Sequence, residues 1–298
     1  MKRLLKWALC LIVLGLGLAA LQPAAAQGEG RLVIVLKADD PVAPSMAAYL
    51  ERGLKRAEAL DAELVILELN TPGGSVTTMN RIVQAIRASR VPVVVYVSPR
   101  GAMAGSAGTL IVLAGHAAAM APETTIGAAS PVGGQGEDLG ETMQAKEKNI
   151  LKATVRALAK DRGERAVHLA EQTIESAEAA SADEALQAGM IDYIAADVND
   201  LLRQLDQQTV KVHGETRVLV TDGARLATVE QTFIEKLLAV LTNPAIVFLL
   251  LTVGVQAILI EISSPGGWVA GTIGVVCLAL AAYGLGVLPV NWFGVVFL

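Results

Sequence analysis

The sequence has few cysteines, few histidines and, towards its C-terminus, almost no charge. Its two cysteines, Cys10 and Cys277, both lie in strongly apolar segments. The long segment between them therefore offers no thiol for a disulfide, a metal thiolate site or a cysteine nucleophile. Aromatic residues make up only 4% of the chain although 53% of it is hydrophobic. So apolar a composition excludes a disordered chain and requires large buried or lipid-facing surfaces.

Charge is nearly absent after residue 236. Between Leu237 and Leu298 the one charged side chain is Glu261. The stretches 244–262 and 268–288 are each long enough to cross a hydrocarbon core, which takes about 20 residues. The sequence SSPGG at 263–267 predicts a tight turn between them, and a third apolar stretch from residue 290 is too short to span. Residues 237–298 are therefore predicted to form a multi-pass transmembrane region.

The N-terminus has the layout of an export signal. Lys2, Arg3 and Lys6 precede an apolar run at 8–21, and three alanines end at Ala26. This pattern predicts a signal peptide over residues 1–26. Residues 27–236 carry 21 basic and 28 acidic side chains. Because nucleic-acid binding relies on a surplus of basic groups, nucleic acid is not an expected partner.

Residues 27–197 alternate short β-branched runs with amphipathic stretches, which predicts an α/β domain with a buried sheet. Strands are expected at 31–36, 64–69, 92–97 and 190–195, and helices at 45–60, 77–88, 145–160 and 181–188. Residues 198–236 have weaker signals, namely one polar helix and two short alternating strands. They are predicted to form a linker or small cap region.

Ser106 is one candidate nucleophile. It lies in the sequence GSAG at 105–108, after the predicted strand 92–97 and before the apolar run 109–113. A helix starting there would place the hydroxyl at its N-terminus, where the dipole stabilises developing negative charge. The alternative is that Ser106 only caps this helix.

A glycine pair, Gly73 and Gly74, follows the predicted strand 64–69 within the sequence NTPGG. Such a pair lets the backbone turn with positive φ and leaves amide N–H groups free to stabilise an oxyanion. The alternative is an ordinary turn from strand to helix.

A serine nucleophile needs a base, and the histidines suit this role poorly. His116 follows Ser106 by ten residues, roughly 15 Å along a helix, while His168 lies on a charged helix and His213 in the region 198–236. A lysine can serve instead when burial disfavours its ammonium form. The predicted helix 145–160 carries four lysines that are either candidates or parts of a solvated face, namely Lys146, Lys148, Lys152 and Lys160.

Four segments, taken in order, match a known family. They are LELNTPGGSV, YVSPRGAMAGSAGTLIVLAG, AMAPETTIGAASPVGG and RALAKDRGER, and they are followed by the apolar tail with its PGG turn. On these segments the chain resembles the NfeD family of membrane-anchored, ClpP-class serine proteases. The resemblance implies an α/β fold built as a ClpP/crotonase-like spiral of ββα units around Ser106.

The resemblance also implies site residues. The family's serine–lysine dyad corresponds to Ser106 and Lys146, with Lys148 as the runner-up for the base. The oxyanion donors would be the amide of Gly73 or Gly74 and that of Ala107. Clp-type relatives have a histidine in the segment matching 128–130, where this chain reads AAS, which favours lysine as the base. No cofactor or metal is implied.

The expected function is that of a serine endopeptidase that cleaves hydrophobic segments, with a stomatin-like membrane protein as the substrate that the resemblance implies. The signal peptide and tail predict a protease domain on the extracytoplasmic side of the bilayer, and the resemblance implies a homodimer or higher oligomer.

Met103 and Gly105 depart from the family pattern, which we interpret as changes in the substrate groove. The main alternative is a non-hydrolytic membrane scaffold that binds stomatin- or flotillin-like proteins. A crotonase-type acyl-CoA enzyme is disfavoured by the export signal.

Overall fold

A six-stranded parallel sheet forms the centre of the larger domain. The computed structural model describes residues 31–133, 140–264 and 267–287. The predicted signal peptide, part of the predicted SSPGG turn and the third apolar stretch thus lie outside the described residues. In spatial order the strands are β11 (Arg225–Thr228), β1 (Leu32–Asp39), β2 (Leu64–Asn70), β3 (Val93–Val97), β5 (Ala117–Met120) and β8 (Tyr193–Ile194). Every pairing within this sheet is parallel.

Two smaller β units accompany this sheet. One consists of β4 (Met103–Gly105), β6 (Thr125–Gly127) and β7 (Ala179–Ser181), and the other is the antiparallel hairpin of β9 (Thr209–Val212) and β10 (Glu215–Val218). Thr71, the residue after β2, forms a parallel bridge with Ala104 of β4. The three-stranded unit therefore begins where a strand of the main sheet ends.

The described residues form ten α-helices, four of which lie at the amphipathic segments predicted to be helical. They are α1 (Pro44–Ala59), α2 (Val76–Ala88), α3 (Ala107–Ala114), α4 (Glu141–Ala159), α5 (Glu164–Glu175), α6 (Ala182–Ala188), α7 (Val198–Leu205), α8 (Phe233–Leu241), α9 (Pro244–Ser263) and α10 (Val269–Val287). Helix α6 begins with a reciprocal capping box between Ser181 and Glu184. Gly189 ends that helix in the left-handed conformation, as its position after the helix predicts.

The main sheet is buried on both faces. Along β2, Val65 and Leu67 face a core shared with α1 and α2, whereas Leu64 and Ile66 face a second core on the opposite side. This alternation is the two-residue period of a pleated strand. Residues of the region 198–236 build the second core, including Leu201, Leu202, Leu205, Val210, Val212 and Leu219. This region also supplies β11, which pairs with β1 at the edge of the sheet.

The hydroxyl group of Tyr49 connects three parts of the domain by hydrogen bonds. Its hydroxyl accepts a hydrogen bond from the backbone N–H of Lys37 at 2.9 Å and donates one to the carbonyl oxygen of Val229 at 2.7 Å. The side chain is buried on α1. One phenol oxygen therefore links α1 to β1 and to the chain that leaves β11.

The two C-terminal helices, α9 and α10, form a closely packed hairpin. Both are long and apolar enough to cross a membrane. A Cβ atom added at Gly254 would lie 2.8 Å from the side chain of Leu278, and one added at Gly274 would lie 2.8 Å from that of Ile258. Glycines at these positions allow the helix backbones to approach each other, as is usual inside membranes.

Glu261 caps the second helix of this hairpin. Its carboxylate accepts hydrogen bonds from the backbone N–H groups of Trp268 at 3.1 Å and Gly271 at 3.0 Å. These groups lie at the start of α10, where free N–H groups and the helix dipole favour a negative charge. The one charged side chain of the apolar segment is thus explained by helix capping.

We expect Tyr49→Phe to lower the free energy of unfolding by about 1–3 kcal/mol, because it leaves a part-buried N–H and a part-buried carbonyl without their partner. Denaturant titration of the full chain in detergent micelles measures the change. The matched control is Tyr193→Phe, since the hydroxyl of Tyr193 makes no hydrogen bond within the described part of the protein. Equal stability of the Tyr49 variant and the parent would contradict the structural role of this hydroxyl.

Candidate active site

Ser106 occupies a strained turn between β4 and α3. Its backbone has φ 51° and ψ −117°, a region that residues with a side chain rarely adopt and that costs about 1–3 kcal/mol. The backbone N–H of Ser106 donates to the carbonyl oxygen of Gly127 at 2.8 Å, and that of Gly105 donates to Thr71 at 2.9 Å. A serine held on a sharp turn from strand to helix is the arrangement of a nucleophile elbow.

Thr109 supports this turn from below. Its hydroxyl oxygen is buried and lies 3.0 Å from the carbonyl oxygen of Ala104 and 3.2 Å from that of Gly127. Both carbonyls belong to the strands that flank the elbow. Thr109 is thus a positioning residue, and the sequence shows it only as the polar first residue of an apolar run.

The PGG turn lies directly against Ser106. Gly73 has φ 118°, and a Cβ atom added there would be 2.5 Å from the Cβ and 3.1 Å from the Oγ of Ser106. Val42 holds the turn in place, because its N–H donates to the carbonyl oxygen of Gly73 at 2.7 Å and its own carbonyl accepts from Ser75. Only glycine leaves room for this approach.

The three candidate oxyanion donors differ in their hydrogen bonds. The amide of Gly73 donates to the hydroxyl oxygen of Thr71 at 3.2 Å. Those of Gly74 and Ala107 donate to no protein acceptor among the residues that the structure describes. Ala107 is the first residue of α3, where an unsatisfied N–H is expected. These two amides are therefore available to a bound anion.

The lysines of α4 are not equivalent. Lys148 donates to the carbonyl oxygen of Glu175 at 2.6 Å and lies 3.8 Å from its carboxylate, and Lys152 lies 3.0 Å from the same carboxylate. These cations lower the pKa of Glu175. Lys146 is exposed and has no ion-pair partner in the described part of the chain. No hydrogen bond joins Lys146 to Ser106, so the structure brings the serine and the glycine turn together but leaves the lysine apart.

The three histidines have structural or surface positions. His116 accepts a hydrogen bond at Nδ1 from the backbone N–H of Val93 at 3.0 Å. Burial, followed by the nearby charge of Arg87, lowers its pKa to about 4. His213 lies 3.1 Å from the carbonyl oxygen of Ser89, and His168 lines an open surface groove on α5. No histidine hydrogen-bonds to Ser106.

Two family descriptions match most of the chain. Residues 32–215 match the family described as NfeD1b, N-terminal domain, and residues 245–298 match the NfeD integral membrane domain.

Two relatives extend this result. The chain is 37% identical over 249 residues to the membrane-bound protease PH1510 of Pyrococcus horikoshii, covering 82% of this chain and 56% of that protein. It is 30% identical over 269 residues to the membrane protein NfeD1b of Bacillus subtilis, covering 87% of this chain and 57% of the relative. The chain thus spans little more than half the length of either.

Solved structures agree with the fold. A lysine-to-alanine mutant of the 1510-N membrane-bound stomatin-specific protease, in complex with a substrate peptide, superposes with a TM-score of 0.66. It is 32% identical and covers 71% of this chain and 97% of that one. The 1510-N protease of Pyrococcus horikoshii, specific for a stomatin homolog, gives a TM-score of 0.62 at 32% identity, covering 72% and 99% of the two chains.

Fold and site together define an α/β protein of the ClpP-like class, with a strained elbow serine and a C-terminal membrane domain. Within that class, this chain belongs to the NfeD family. The resemblance inferred from the sequence is confirmed, and the protein is a membrane protein.

Gly73→Ala is expected to reduce labelling of Ser106 by a fluorophosphonate probe about 100-fold, since displacing a reacting group by about 1 Å costs that much. The control is Gly101→Ala, which also places alanine at a positive φ, here 83°, but in open space. Both variants carry the same kind of backbone strain, so only the contact with Ser106 differs. Equal labelling of the two variants would contradict the proposed close approach.

Acid should destabilise the protein through His116. Because the folded state holds this pKa near 4, below the ordinary value of 6.5, the unfolded chain binds more protons between these two pH values. Stability is therefore retained above pH 6.5 and lost as the pH falls towards 4, by roughly 3 kcal/mol in all. His116→Asn keeps an acceptor for Val93 without titrating there. Parallel stability curves for parent and variant in thermal unfolding over this range would refute the assignment.

Proposed function

We propose that this protein is a membrane-anchored serine endopeptidase with Ser106 as its nucleophile. The observation that carries the proposal is the elbow serine in contact with a glycine turn, beside two amides that have no protein acceptor. The relatives support it, because one is a membrane-bound protease and another is a stomatin-specific protease bound to a substrate peptide.

In the proposed reaction, the Oγ of Ser106 attacks the peptide carbonyl and its proton passes to neutral Lys146. The carbonyl oxygen becomes an oxyanion, which the amides of Ala107 and of Gly74 or Gly73 stabilise by hydrogen bonding. Lys146 then delivers the proton to the leaving amine, and water hydrolyses the acyl-enzyme. The free amide of Gly74 makes it the better second donor, since that of Gly73 already donates to Thr71.

The assignment of the base rests on two observations. Lys148 and Lys152 are bound to Glu175, whereas Lys146 is exposed and forms no ion pair with any described residue. In the 1510-N protease, the lysine replaced in one mutant lies 41 positions after the serine replaced in another. The distance from Ser106 is 40 positions to Lys146 and 42 to Lys148. This spacing supports these two lysines over Lys152 and Lys160.

A lysine serves as a base only after losing its proton, which removal from water favours. Lys146 is exposed in the chain by itself, so a bound substrate or a second subunit has to cover it. Met103 on β4 and Val76 beside the glycine turn are exposed apolar side chains next to the elbow. They fit a hydrophobic peptide, for which a stomatin-like membrane protein is the proposed source. We further propose a homodimer or higher oligomer, a multi-pass anchor and an extracytoplasmic protease domain.

One observation favours the alternative of a non-hydrolytic scaffold. Ser106 and Lys146 are not hydrogen-bonded to each other in this structure. Such a protein would keep the fold and bind stomatin- or flotillin-like proteins without cutting them.

Cleavage of an apolar peptide by the full chain in detergent tests the two functions. Ser106→Ala should abolish it, and Lys146→Ala should reduce it by about 100- to 10,000-fold, the usual contribution of a general base. Lys148→Ala, a matched loss of charge two positions along the same helix, should remain active.

The outcomes are distinct. An inactive parent, or equal activity in all variants, would favour the scaffold. An inactive Lys148→Ala beside an active Lys146→Ala would assign the base to Lys148 instead.

A further inference from the structure

The helix α8 presents an apolar face to the outside of the protein. Phe233, Ile234, Leu237 and Val240 are 79%, 65%, 40% and 51% exposed. These positions lie on one side of the helix by its 3.6-residue period. Lys236, the one basic residue of α8, is also exposed, at the border of this face. An apolar stripe of this kind next to a cation is typical of helices that lie in a membrane interface.

The opposite side of α8 is fixed to the ClpP-like domain, which is the α/β domain built around the six-stranded sheet. Glu235 is only 9% exposed and accepts two hydrogen bonds from Arg52 of α1, at 2.8 and 2.7 Å. Arg52 also donates to the carbonyl oxygen of Glu230 at 2.8 Å. The two bonds from Arg52 to the Glu235 carboxylate lower the pKa of Glu235 to about 2. A bidentate pair of this kind constrains both distance and orientation.

The C-terminal end of α8 meets the membrane hairpin. The helix ends at Leu241, and α9 begins at Pro244. A Cβ atom added at Gly284 of α10 would lie 2.5 Å from the carbonyl oxygen of Leu241 and would also overlap the side chain of Val247. The start of α9 and the end of α10 thus both lie at the last turn of α8. This places α8 at the depth where the chain enters the bilayer.

We infer that α8 lies in the membrane interface with its apolar face against the acyl chains, and that Arg52 and Glu235 hold the ClpP-like domain to it. The occupant of the apolar face is the lipid bilayer, because α8 ends at Leu241 and the first membrane-spanning helix begins at Pro244. So short a connection keeps α8 at the depth where that helix enters the bilayer. The bilayer also covers apolar side chains that would otherwise face water. This inference does not depend on the proposed proteolysis.

Spin labels test the depth of α8. The full chain, with Cys10 and Cys277 replaced by serine, receives single labelled cysteines at positions 233, 237 and 240 in nanodiscs of phosphatidylcholine and phosphatidylglycerol. Gln187, in the surface groove beside α6, provides the aqueous control, and Leu259, exposed on α9, provides the bilayer control. Collision rates with oxygen and with a water-soluble nickel chelate are measured for each label.

The three α8 labels should show an oxygen-to-nickel ratio several-fold above that of Gln187 and below that of Leu259. A ratio equal to that of Gln187 would mean that the face is in water, and low collision rates with both reagents would mean that protein covers it. Either result overturns the inference. Since these side chains are exposed, labelling them does not disturb the core.

A second measurement tests whether the pair of Arg52 and Glu235 holds the ClpP-like domain to α8 and the membrane hairpin. Distances between spin labels at positions 187 and 259 should have a broader distribution in Arg52→Ala than in the parent. Arg81→Ala is the matched control, because Arg81 makes a similar two-bond pair with Glu51 of the same helix α1 but does not contact α8. An unchanged distribution in Arg52→Ala, or equal broadening in both variants, would refute the role of this pair.

Discussion

The close approach between the backbone at Gly73 and the side chain of Ser106 is the constraint on which the candidate site depends. It brings together two loops that follow different strands, and it leaves no space for a side chain on the glycine. The bridge between Thr71 and Ala104 sets this distance, because it fixes the end of β2 to β4. Hydrogen bonds made by Thr109, Gly127 and Val42 then fix the positions of the two loops. The strain at Ser106 persists because several independent hydrogen bonds oppose its release.

Much of this arrangement can be predicted from the sequence. The apolar runs that became β1, β2 and β3 are rich in β-branched residues. The glycine motif follows β2 directly, and the serine motif comes after β3 with the short strand β4 between them. Two strands of the main sheet were missed for physical reasons. The sequence AAAM of β5 has no strand propensity of its own and is a strand because it is buried between β3 and β8. The short sequence RLAT of β11 is half polar. It forms a strand because it pairs with the edge of β1.

The position of Lys146 shows where prediction from local sequence ends. The sequence places it on a helix, and the structure confirms the helix. Whether it reaches Ser106 depends on what covers the exposed face of α4, which no local pattern describes. Glu175 illustrates the same limit, since its pairing with Lys148 and Lys152 joins two helices and cannot be inferred from the spacing within either.

The neighbours of β1 have a consequence for biogenesis. Among the described residues, β1 is the first strand to be synthesised, yet its partner β11 is the last strand before α9. Until the ribosome has delivered residue 228, one edge of β1 has no strand beside it, and an open strand edge invites pairing with other chains. The sheet is completed just as the first spanning helix follows. Completion of the sheet and insertion of the anchor are therefore consecutive events on the nascent chain. A delay before β11 leaves the edge of β1 open, and a delay in insertion leaves the apolar helices α9 and α10 in water.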